Sequence, residues 1–326
     1  MSRTHLLLAL ALASVPFASP VRADTFPSKS ITIMPLIAAG TGLDVTVRMY
    51  AEQLAKSLGK PVVVENKPGS AGLVGIAALK AAPADGHTLA VTTSAVMAIR
   101  PTLLKHVPYD VYQDFVPIAL YVKSPFILVV DPKLPIHSVA EFIAYIKARP
   151  GQLSYSSPGI GGAPQLAMEF LKQRFGLDIA HVPYRNSPQA IADIAAGHVA
   201  TAFAEAGASL PLIRAGKLRA LAVSSTTRLP TVPELRPIGE AIGAPDFEAV
   251  SWHVLLALSG TPPDIVAKLH GEMKRIWAIP ANRERTAALG LIPIDIASID
   301  GMRAYIKAEN DKWGTLVRKL GLEGSQ

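Results

Sequence analysis

Short hydrophobic runs alternate with amphipathic stretches over the first third of the chain. The aliphatic runs predict buried strands at residues 31–37, 62–64 and 88–92. Pro35 favours an early end for the first strand, because proline cannot donate to a β-ladder. Apolar residues at helical spacing over 43–58 predict an amphipathic helix, and Gly59 is typical of its end.

The alternation continues to the end of the chain. Further strands are predicted at 126–130, 153–156, 179–182, 200–203 and 218–223, with helices over 139–149, 165–175, 188–196 and 210–215. Ser138 and Glu141 form a capping box for the first of these helices. Two long helices follow, one beginning at Thr261-Pro262-Pro263-Asp264 and the other running over 298–320. Strands that alternate with helices predict the α/β class with mostly parallel sheets.

Composition narrows the class of protein. The 326 residues are 50% hydrophobic, enough to fill two ordinary domain cores, and the absence of cysteine excludes disulfides and thiol catalysis. Only 17% of the residues are charged, and the net charge of +7 comes without a Lys/Arg-rich run. This pattern is typical of a mildly cationic globular surface, so we expect no nucleic-acid partner.

The first 23 residues have the features of a secretory signal peptide. Arg3 precedes an apolar stretch over 6–13, and Val21-Arg22-Ala23 offers a small-residue cleavage site. The apolar stretch is too short to span a membrane. We therefore expect an exported, soluble protein of the periplasm, with a net charge of about +5 once Arg3 and Arg22 are removed.

Residue patterns that carry catalysis or hold cofactors are not recognisable. The eight histidines are scattered without an H-E-x-x-H pair, so no metal site is predicted. Gly69-Ser70-Ala71-Gly72 lacks the spacing of a nucleophile elbow, and there is no Walker A loop. Residues 40–45 resemble a dinucleotide fingerprint only at their start, because Val45 is too large and Asp44 would repel a pyrophosphate. We expect neither a cofactor nor an enzymatic activity.

Two glycine-rich loops, residues 38–42 and 158–162, each follow a predicted strand and open a predicted helix. Glycines let a ligand approach the backbone, and the free N–H groups at a helix start attract anions. A single loop of this kind is common scaffolding. Two such loops in different halves of an exported chain predict opposed jaws that grip a carboxylate ligand.

Short motifs follow one another in a fixed order along the chain. They are Phe26-Pro27-Ser28-Lys29, Ala39-Gly40-x-Gly42-x-Asp44-x-x-x-Arg48, Val64-Glu65-Asn66-Lys67-Pro68-Gly69-Ser70-Ala71-Gly72, Pro83-x-Asp85-Gly86-x-Thr88-Leu89, Pro108-Tyr109-Asp110, Ser157-Pro158-Gly159-Ile160-Gly161, His181-Val182-Pro183-Tyr184, Gly216-Lys217-Leu218-Arg219-Ala220-Leu221-Ala222-Val223 and Trp252 followed by Gly260-Thr261-Pro262. This series resembles the substrate-binding proteins of the tripartite tricarboxylate transporters, known as the Bug family, over essentially the whole mature chain.

The resemblance implies a two-lobed Venus-flytrap receptor with a central cleft, similar to type II periplasmic binding proteins. Lobe 1 would comprise residues 24–123 and 229–326, and lobe 2 residues 124–228. The implied ligand is a small organic acid, and the implied partners are the membrane permease subunits of a tripartite transporter. The receptor itself is expected to be a monomer.

Twelve residues are expected to line the cleft. They are Ala39, Gly40, Thr41, Asp44, Thr93, Ser94, Ser156, Gly162, Ala163, Tyr184, Asn186 and Glu205. The first loop would grip a carboxylate through Thr41 and the backbone of Ala39 and Gly40, and Gly162 and Ala163 would supply the opposing N–H groups.

Several of these residues have a second interpretation. Asp44 also suits the positive end of a helix dipole, and Asn186 also suits a turn. Tyr184 could donate its hydroxyl or pack in the wall of the cleft. Glu205 in the cleft would disfavour a dianion and favour a ligand with an amine, although the sequence favours a surface position for this residue.

Two other functions remain open at this point. A flytrap protein of the same architecture could signal to a membrane sensor instead of supplying a permease, and no readable motif separates the two. A periplasmic α/β enzyme would need a nucleophile and base at recognisable spacing, which the chain does not present. The transport receptor is the leading interpretation.

Overall fold

The structure, a computed structural model, describes residues 26–69 and 72–326. The predicted signal peptide over 1–23 and its cleavage site lie outside the described residues, as do Ser70 and Ala71. Within the described ranges, no helix combines the length and the apolar character that a membrane crossing needs.

The described residues form β-strands and α-helices in alternation. The strands are β1 (Ile31–Pro35), β2 (Val62–Val64), β3 (Thr88–Thr93), β4 (Phe115–Ser124), β5 (Phe126–Val130), β6 (Ser154–Ser157), β7 (Ala180–Pro183), β8 (Thr201–Glu205), β9 (Arg219–Val223), β10 (Ser251–Leu258) and β11 (Ile292–Pro293). The helices are α1 (Gly42–Leu58), α2 (Leu73–Lys80), α3 (Arg100–Leu103), α4 (Val139–Lys147), α5 (Ala163–Phe175), α6 (Ser187–Ala196), α7 (Ala206–Arg214), α8 (Ile238–Ala241), α9 (Pro263–Trp277), α10 (Pro280–Ala288) and α11 (Ile299–Lys319). A π-helical turn, Ala95–Ile99, precedes α3. The sequence pattern had assigned no element to α2, β4, β10 or α10.

Helix α1 shows how local sequence sets the element boundaries. Its first turn is capped by Thr41, whose hydroxyl accepts the N–H of Asp44 at 3.3 Å. Its last turn is closed by Gly59, which adopts a left-handed conformation (φ 69°) and donates to Ala55 O. A side-chain cap of this kind contributes about 1 kcal/mol. The helix therefore starts directly at the first glycine loop.

The strands form two sheets of mixed direction. The first sheet has the order β11-β4-β10-β3-β1-β2, and the second has the order β7-β6-β8-β5-β9. β1 pairs in parallel with β2 and β3, and β6 pairs in parallel with β7 and β8. β10 runs antiparallel between β3 and β4, and β5 runs antiparallel between β8 and β9.

The expectation of mostly parallel sheets is therefore wrong, whereas the α/β class is confirmed. β5 follows β4 directly from the first sheet, and β10 follows a return segment from the second sheet whose one helix is the single turn α8. Each enters its new sheet at the edge where the parallel strands end, so it has to run in the opposite direction. Crossover helices are what keep neighbouring strands parallel.

The chain crosses between the sheets twice, and the two crossings lie side by side. Ser124 at the end of β4 is paired with Ser251 at the start of β10. Beside them, Ser224 accepts the N–H of Phe126 on its hydroxyl at 2.9 Å and donates its own N–H to Phe126 O at 2.8 Å. The Ala249 N–H reaches Ser224 O at 3.0 Å. The outgoing and returning segments are thus hydrogen-bonded to each other.

The segment after β9 packs with the second sheet before it returns. Leu229 and Val232 are buried in the same cluster as Ile127 and Val129 of β5. The Val223 N–H donates to Arg236 O, which holds this segment along β9. Residues 229–236 therefore lie against the second sheet.

Helix α11 fixes the first sheet from one side. The carboxylate of Glu309 is buried and accepts the indole N–H groups of Trp252 at 2.9 Å and Trp313 at 3.1 Å. A buried carboxylate needs such donors, because an unpaired charge in the core is costly. The start of β10, where the chain re-enters the first sheet, is thereby held in place.

Candidate functional site

The two sheets face each other along the edges at which their parallel strands end. β4 leaves the first sheet at this edge, and β5 enters the second sheet where β6 and β8 end. α1 follows β1 at the first edge, and α5, α6 and α7 follow β6, β7 and β8 at the second. Open α/β sheets bind ligands at the carboxyl ends of their strands, and helix starts favour anions. The space between the edges is therefore a candidate anion site.

Asp44 holds the first glycine loop in its conformation. Its carboxylate accepts the N–H of Gly40 at 3.0 Å, Nε of Arg48 at 3.1 Å and Nδ2 of Asn66 at 2.9 Å. Burial opposes ionisation of Asp44, but the hydrogen bonds from Arg48, Gly40 and Asn66 lower its pKa below the ordinary value. The side chain is 5% exposed. It therefore acts first as a brace for the loop.

The brace changes which loop atoms are free for a ligand. The Gly40 N–H, which we had expected to contact the ligand, is committed to Asp44. The Thr41 hydroxyl accepts the Asp44 N–H and lies 3.3 Å from Ala38 O. Ala39 is exposed at the tip of the loop. The N–H of Ala39 remains an expected contact of this loop, whereas the Thr41 hydroxyl already accepts from Asp44 and donates to Ala38 O.

Thr93 and Ser94 lie at the carboxyl end of β3, as the sequence predicted. Ser94 is fully buried, and its hydroxyl is 3.1 Å from that of Ser251 on β10. This contact links the end of β3 to the returning segment, so Ser94 has a structural partner. Thr93 is half-buried and stands opposite His253 in the β3–β10 pairing.

The second glycine loop is shaped by two side chains. The hydroxyl of Ser157 accepts the Gly159 N–H at 3.3 Å and lies 2.7 Å from Nε2 of His181. The side chain of Gln165 accepts the Gly161 N–H at 2.7 Å. Both glycines have positive φ, 130° and 77°, which glycine adopts without strain. The loop is held in place by these hydrogen bonds.

The start of α5 offers two backbone donors. Gly162 is the N-cap residue and Ala163 the first helical residue, whereas Pro164 has no N–H. Within the described part of the chain, the N–H groups of Gly162 and Ala163 are given no acceptor. A Cβ at Gly162 would meet only Pro164 Cδ, at 3.4 Å, so the backbone here is open to approach.

Three residues expected in the cleft have partners on α6. Ser156 is buried and donates its hydroxyl to Ala190 O at 3.1 Å. Asn186 caps α6 by accepting the Gln189 N–H at 2.9 Å. The hydroxyl of Tyr184 donates to Asp193 at 2.7 Å, and burial together with this contact raises the pKa of Tyr184 to about 12.

These partners correct the expected roles. The Ser156 hydroxyl is hydrogen-bonded to α6. Side chains along a strand alternate between the two faces of the sheet, so Ser156 belongs to the face that packs against α6. We therefore remove Ser156 from the candidate contacts. For Asn186 the turn interpretation applies, since its side-chain oxygen serves as a helix cap. Tyr184 forms part of the wall through its contact with Asp193.

Glu205 ends β8 at the edge that faces the first sheet. It is paired with Phe126, the first residue of β5, and occupies the N-cap position of α7. Burial raises the pKa of Glu205, while a hydrogen bond with Ser187 acts in the opposite direction. Among the described residues, no ion pair includes Glu205. The carboxyl is thus a half-buried acid without a cation.

His253 is a candidate contact that the sequence analysis missed. The side chain is 6% exposed, and the described residues give its Nδ1 no hydrogen-bond partner. Burial lowers the pKa of His253 to about 3, so the imidazole is neutral at ordinary pH. Its only signal in the sequence is its place directly after Trp252, at the start of a hydrophobic run. Its neighbour Thr93 is 160 residues away along the chain.

Contacts between the two halves of the molecule include two beside the cleft. Nη2 of Arg100 on α3 reaches Ile160 O in the second loop at 3.5 Å. At the other place, the loop after α10 meets the start of α7. A Cβ on Gly207 would lie 2.8 Å from Leu289 O, closer than real Cβ contacts. Glycine is therefore required at 207 for this approach.

Two α/β sheets joined by paired crossings, with helix starts on their facing edges, define a two-lobed solute-binding protein. The chain belongs to the tripartite tricarboxylate transporter receptor family: a family model described as "Tripartite tricarboxylate transporter family receptor" matches residues 46–322. Receptors of this family are periplasmic. The resemblance that the sequence motifs indicated is thereby confirmed.

Individual relatives extend over nearly the whole chain. Protein BugT of Bordetella pertussis is 35% identical over 322 residues, 98% of either chain. The structure of R. palustris Rpa4515 with adipate has a TM-score of 0.85 and 30% identity, covering 91% of this chain and 98% of that one. MatC from Rhodopseudomonas palustris with bound malate has a TM-score of 0.80 and 26% identity, covering 90% and 100%.

Proposed function

We propose that this chain is an exported receptor that binds a small organic carboxylate between its two sheets and delivers it to the permease of a tripartite tricarboxylate-type transporter. The observation that carries the proposal is the placement of the starts of α1 and α5 on facing edges, each behind a braced glycine loop. Family membership and the adipate and malate complexes of two relatives support the same ligand class.

The lobes of this receptor follow from the crossings. Lobe 1 comprises the chain up to residue 123 and the chain from β10 onward, and lobe 2 lies between them. The packing of Leu229 and Val232 against β5 supports counting residues 229–249 with lobe 2. The paired crossings, with Lys123 and Glu248 joined at 2.9 Å, would serve as the hinge.

The ligand is a small acid with one carboxylate held by backbone N–H groups. Helix starts and neutral donors can hold one carboxylate, whereas a trianion such as citrate would need several matched cations. The half-buried Glu205 acts against a second negative charge and favours an amine or another donor near it. The proposal assigns the protein no catalytic step, a monomeric state and export through the signal peptide over 1–23.

A thermal-shift screen of the ligand-stripped mature protein tests this function. The acids are adipate, malate, succinate, glutamate, benzoate and citrate, and the uncharged control is adipamide. A ligand at about 100 times its Kd stabilises the folded state by about 2.7 kcal/mol. We expect at least one of the small acids to raise the Tm by several degrees and adipamide to leave it unchanged.

Two results would contradict the proposal. If none of these acids raises the Tm and calorimetric titration also detects no heat of binding, the carboxylate receptor is wrong. If adipamide stabilises the protein as strongly as adipate, the site does not recognise the carboxylate group.

A further inference from the structure

His253 is a buried polar side chain in a place where the fold leaves it no protein partner. It is 6% exposed, and the hydrogen bonds of residues 26–69 and 72–326 do not include its ring. Leaving a buried donor or acceptor unsatisfied costs about 1–3 kcal/mol, so such a group requires an explanation. One explanation is that a ligand bound in the working protein is the hydrogen-bond partner of His253.

The strand register places this ring beside the carboxylate site. His253 is directly opposite Thr93 in the antiparallel β3–β10 pair. Side chains at such positions share one face of the sheet, with Cβ atoms about 4.5–5.5 Å apart. Thr93 is at the carboxyl end of β3, where ligands bind in open α/β sheets. Close by, the hydroxyls of Ser94 and Ser251 are 3.1 Å apart and link the two strand ends.

Thr93 adds a second free group to the same face. It is half-buried, and its hydroxyl takes part in no hydrogen bond of the described residues. A neighbouring hydroxyl and imidazole thus both lack partners at one strand end. This pairing distinguishes the place from the half-buried imidazole of His270, whose Nδ1 is 2.8 Å from Ile118 O.

We propose that His253 is a specificity-determining contact of the ligand site, where its imidazole, together with the Thr93 hydroxyl, hydrogen-bonds the bound organic acid. The inference rests on the proposed function, because it assigns a residue to the same site. A neutral N–H donor holds an anionic oxygen without adding a charge to the desolvated site. It therefore selects acids that place a carboxylate or carbonyl oxygen against the β3–β10 strand ends.

Calorimetric titrations of four proteins test this contact. The probes are adipate, malate, succinate, glutamate and benzoate at one salt concentration. The proteins are the parent, His253→Phe, His253→Gln and the control His106→Gln, which changes an exposed histidine. We expect His253→Phe to weaken the Kd of the tightest acid by about tenfold or more, since a hydrogen bond to a charged group is lost. His253→Gln should recover part of this loss, and His106→Gln should match the parent.

The stability of the ligand-free variants separates a contact from a structural role. Phe keeps the ring volume and removes an unsatisfied polar group, so ligand-free His253→Phe should be as stable as the parent or more stable. A structural histidine predicts a lower Tm for both variants. Ring resonances of His253 in 13C- and 15N-edited NMR should also shift on ligand addition to the parent.

The outcomes separate the two proposals. If the parent binds an acid and both variants bind it within twofold of the parent, the His253 contact is wrong and the receptor function stands. Unchanged His253 ring resonances at saturating ligand would also overturn the contact. If the parent binds none of the five acids, the receptor function is wrong, and the contact with it.

Discussion

The carboxylate of Asp44 accepts the N–H of Gly40 at 3.0 Å, and Gln165 accepts the N–H of Gly161 in the same way at 2.7 Å. In both cases the third residue of a helix reaches back to the residue before the N-cap, four positions earlier. This arrangement extends the usual capping box by one residue. Both glycine loops are therefore fixed by the first turn of the helix that they open, before any ligand arrives.

The same device occurs once more, away from the candidate site. Glu141 of α4 accepts the N–H of His137 at 2.6 Å, and Ser138 caps the helix. α4 follows the carboxyl end of β5, which runs antiparallel to β8 and so ends at the opposite edge of the second sheet. Glu141 is thus a matched control for the two site braces.

Removal of a site brace should weaken ligand binding beyond its effect on stability. We expect Asp44→Ala and Gln165→Ala each to weaken the Kd of the tightest acid by about tenfold, because the loop N–H groups lose their fixed directions. Each change should also lower the free energy of unfolding by about 1–2 kcal/mol, as the loss of a cap does. Titration calorimetry and urea unfolding measure the two effects.

The control is Glu141→Ala, which should cost similar stability and leave the Kd unchanged. Equal losses of affinity in all three variants would mean that binding follows global stability, and the bracing role would be wrong.

Gly162 should be essential for binding and unimportant for folding. Its φ of −96° is available to any residue, and a Cβ there meets only Pro164 Cδ at 3.4 Å. Gly162→Val should therefore fold with an unchanged Tm, while its side chain blocks a carboxylate from the N–H groups of Gly162 and Ala163. We expect binding of the tightest acid to fall by at least about 100-fold, since both donors are lost.

The matched control is Gly271→Val on α9, where a Cβ meets no atom within 4 Å. It should bind like the parent. If Gly162→Val binds the acid as tightly as the parent, the start of α5 does not hold the carboxylate.

The close approach of Gly207 to Leu289 predicts that a larger residue at position 207 hinders closure of the two lobes. A methyl group at 207 would lie 2.8 Å from Leu289 O and push the start of α7 away from the first lobe. In small-angle scattering, the parent should show a smaller radius of gyration with ligand than without it. Gly207→Ala should show a reduced change and an affinity weaker by about tenfold, because the closed state is strained.

For this prediction the control is Gly271→Ala, which should close like the parent. An unchanged scattering profile of the parent at saturating ligand would rule out hinge closure. Normal closure in Gly207→Ala would show that this contact does not limit it.

The sequence predicted those features that depend on neighbours along the chain. The limits of α1, the cap at Ser138 and the positions of both glycine loops follow from spacing, caps and glycines within a few residues. The direction of β10 depends on pairing with strands that end more than 120 residues earlier, and no local pattern encodes it. The roles of Asp44 and His253 depend on Asn66 and Thr93 in the same way.

Glu205→Gln should stabilise the protein at neutral pH and change its preference among acids. Because the folded-state pKa of Glu205 is raised, the parent is relatively most stable below the unfolded pKa of about 4.3. That advantage is lost as the pH rises through the folded pKa. Glutamine carries no charge, so Glu205→Gln avoids the cost of burying an ionised carboxylate. Its free energy of unfolding should therefore exceed that of the parent at pH 7 and equal it near pH 4. Removal of the negative charge should also strengthen adipate binding relative to glutamate binding.

Urea unfolding at pH 4, 5.5 and 7 and paired titrations measure both effects, with the exposed Glu284→Gln as control. A parent as stable as Glu205→Gln at every pH, with the same order of acids, would place Glu205 outside the site.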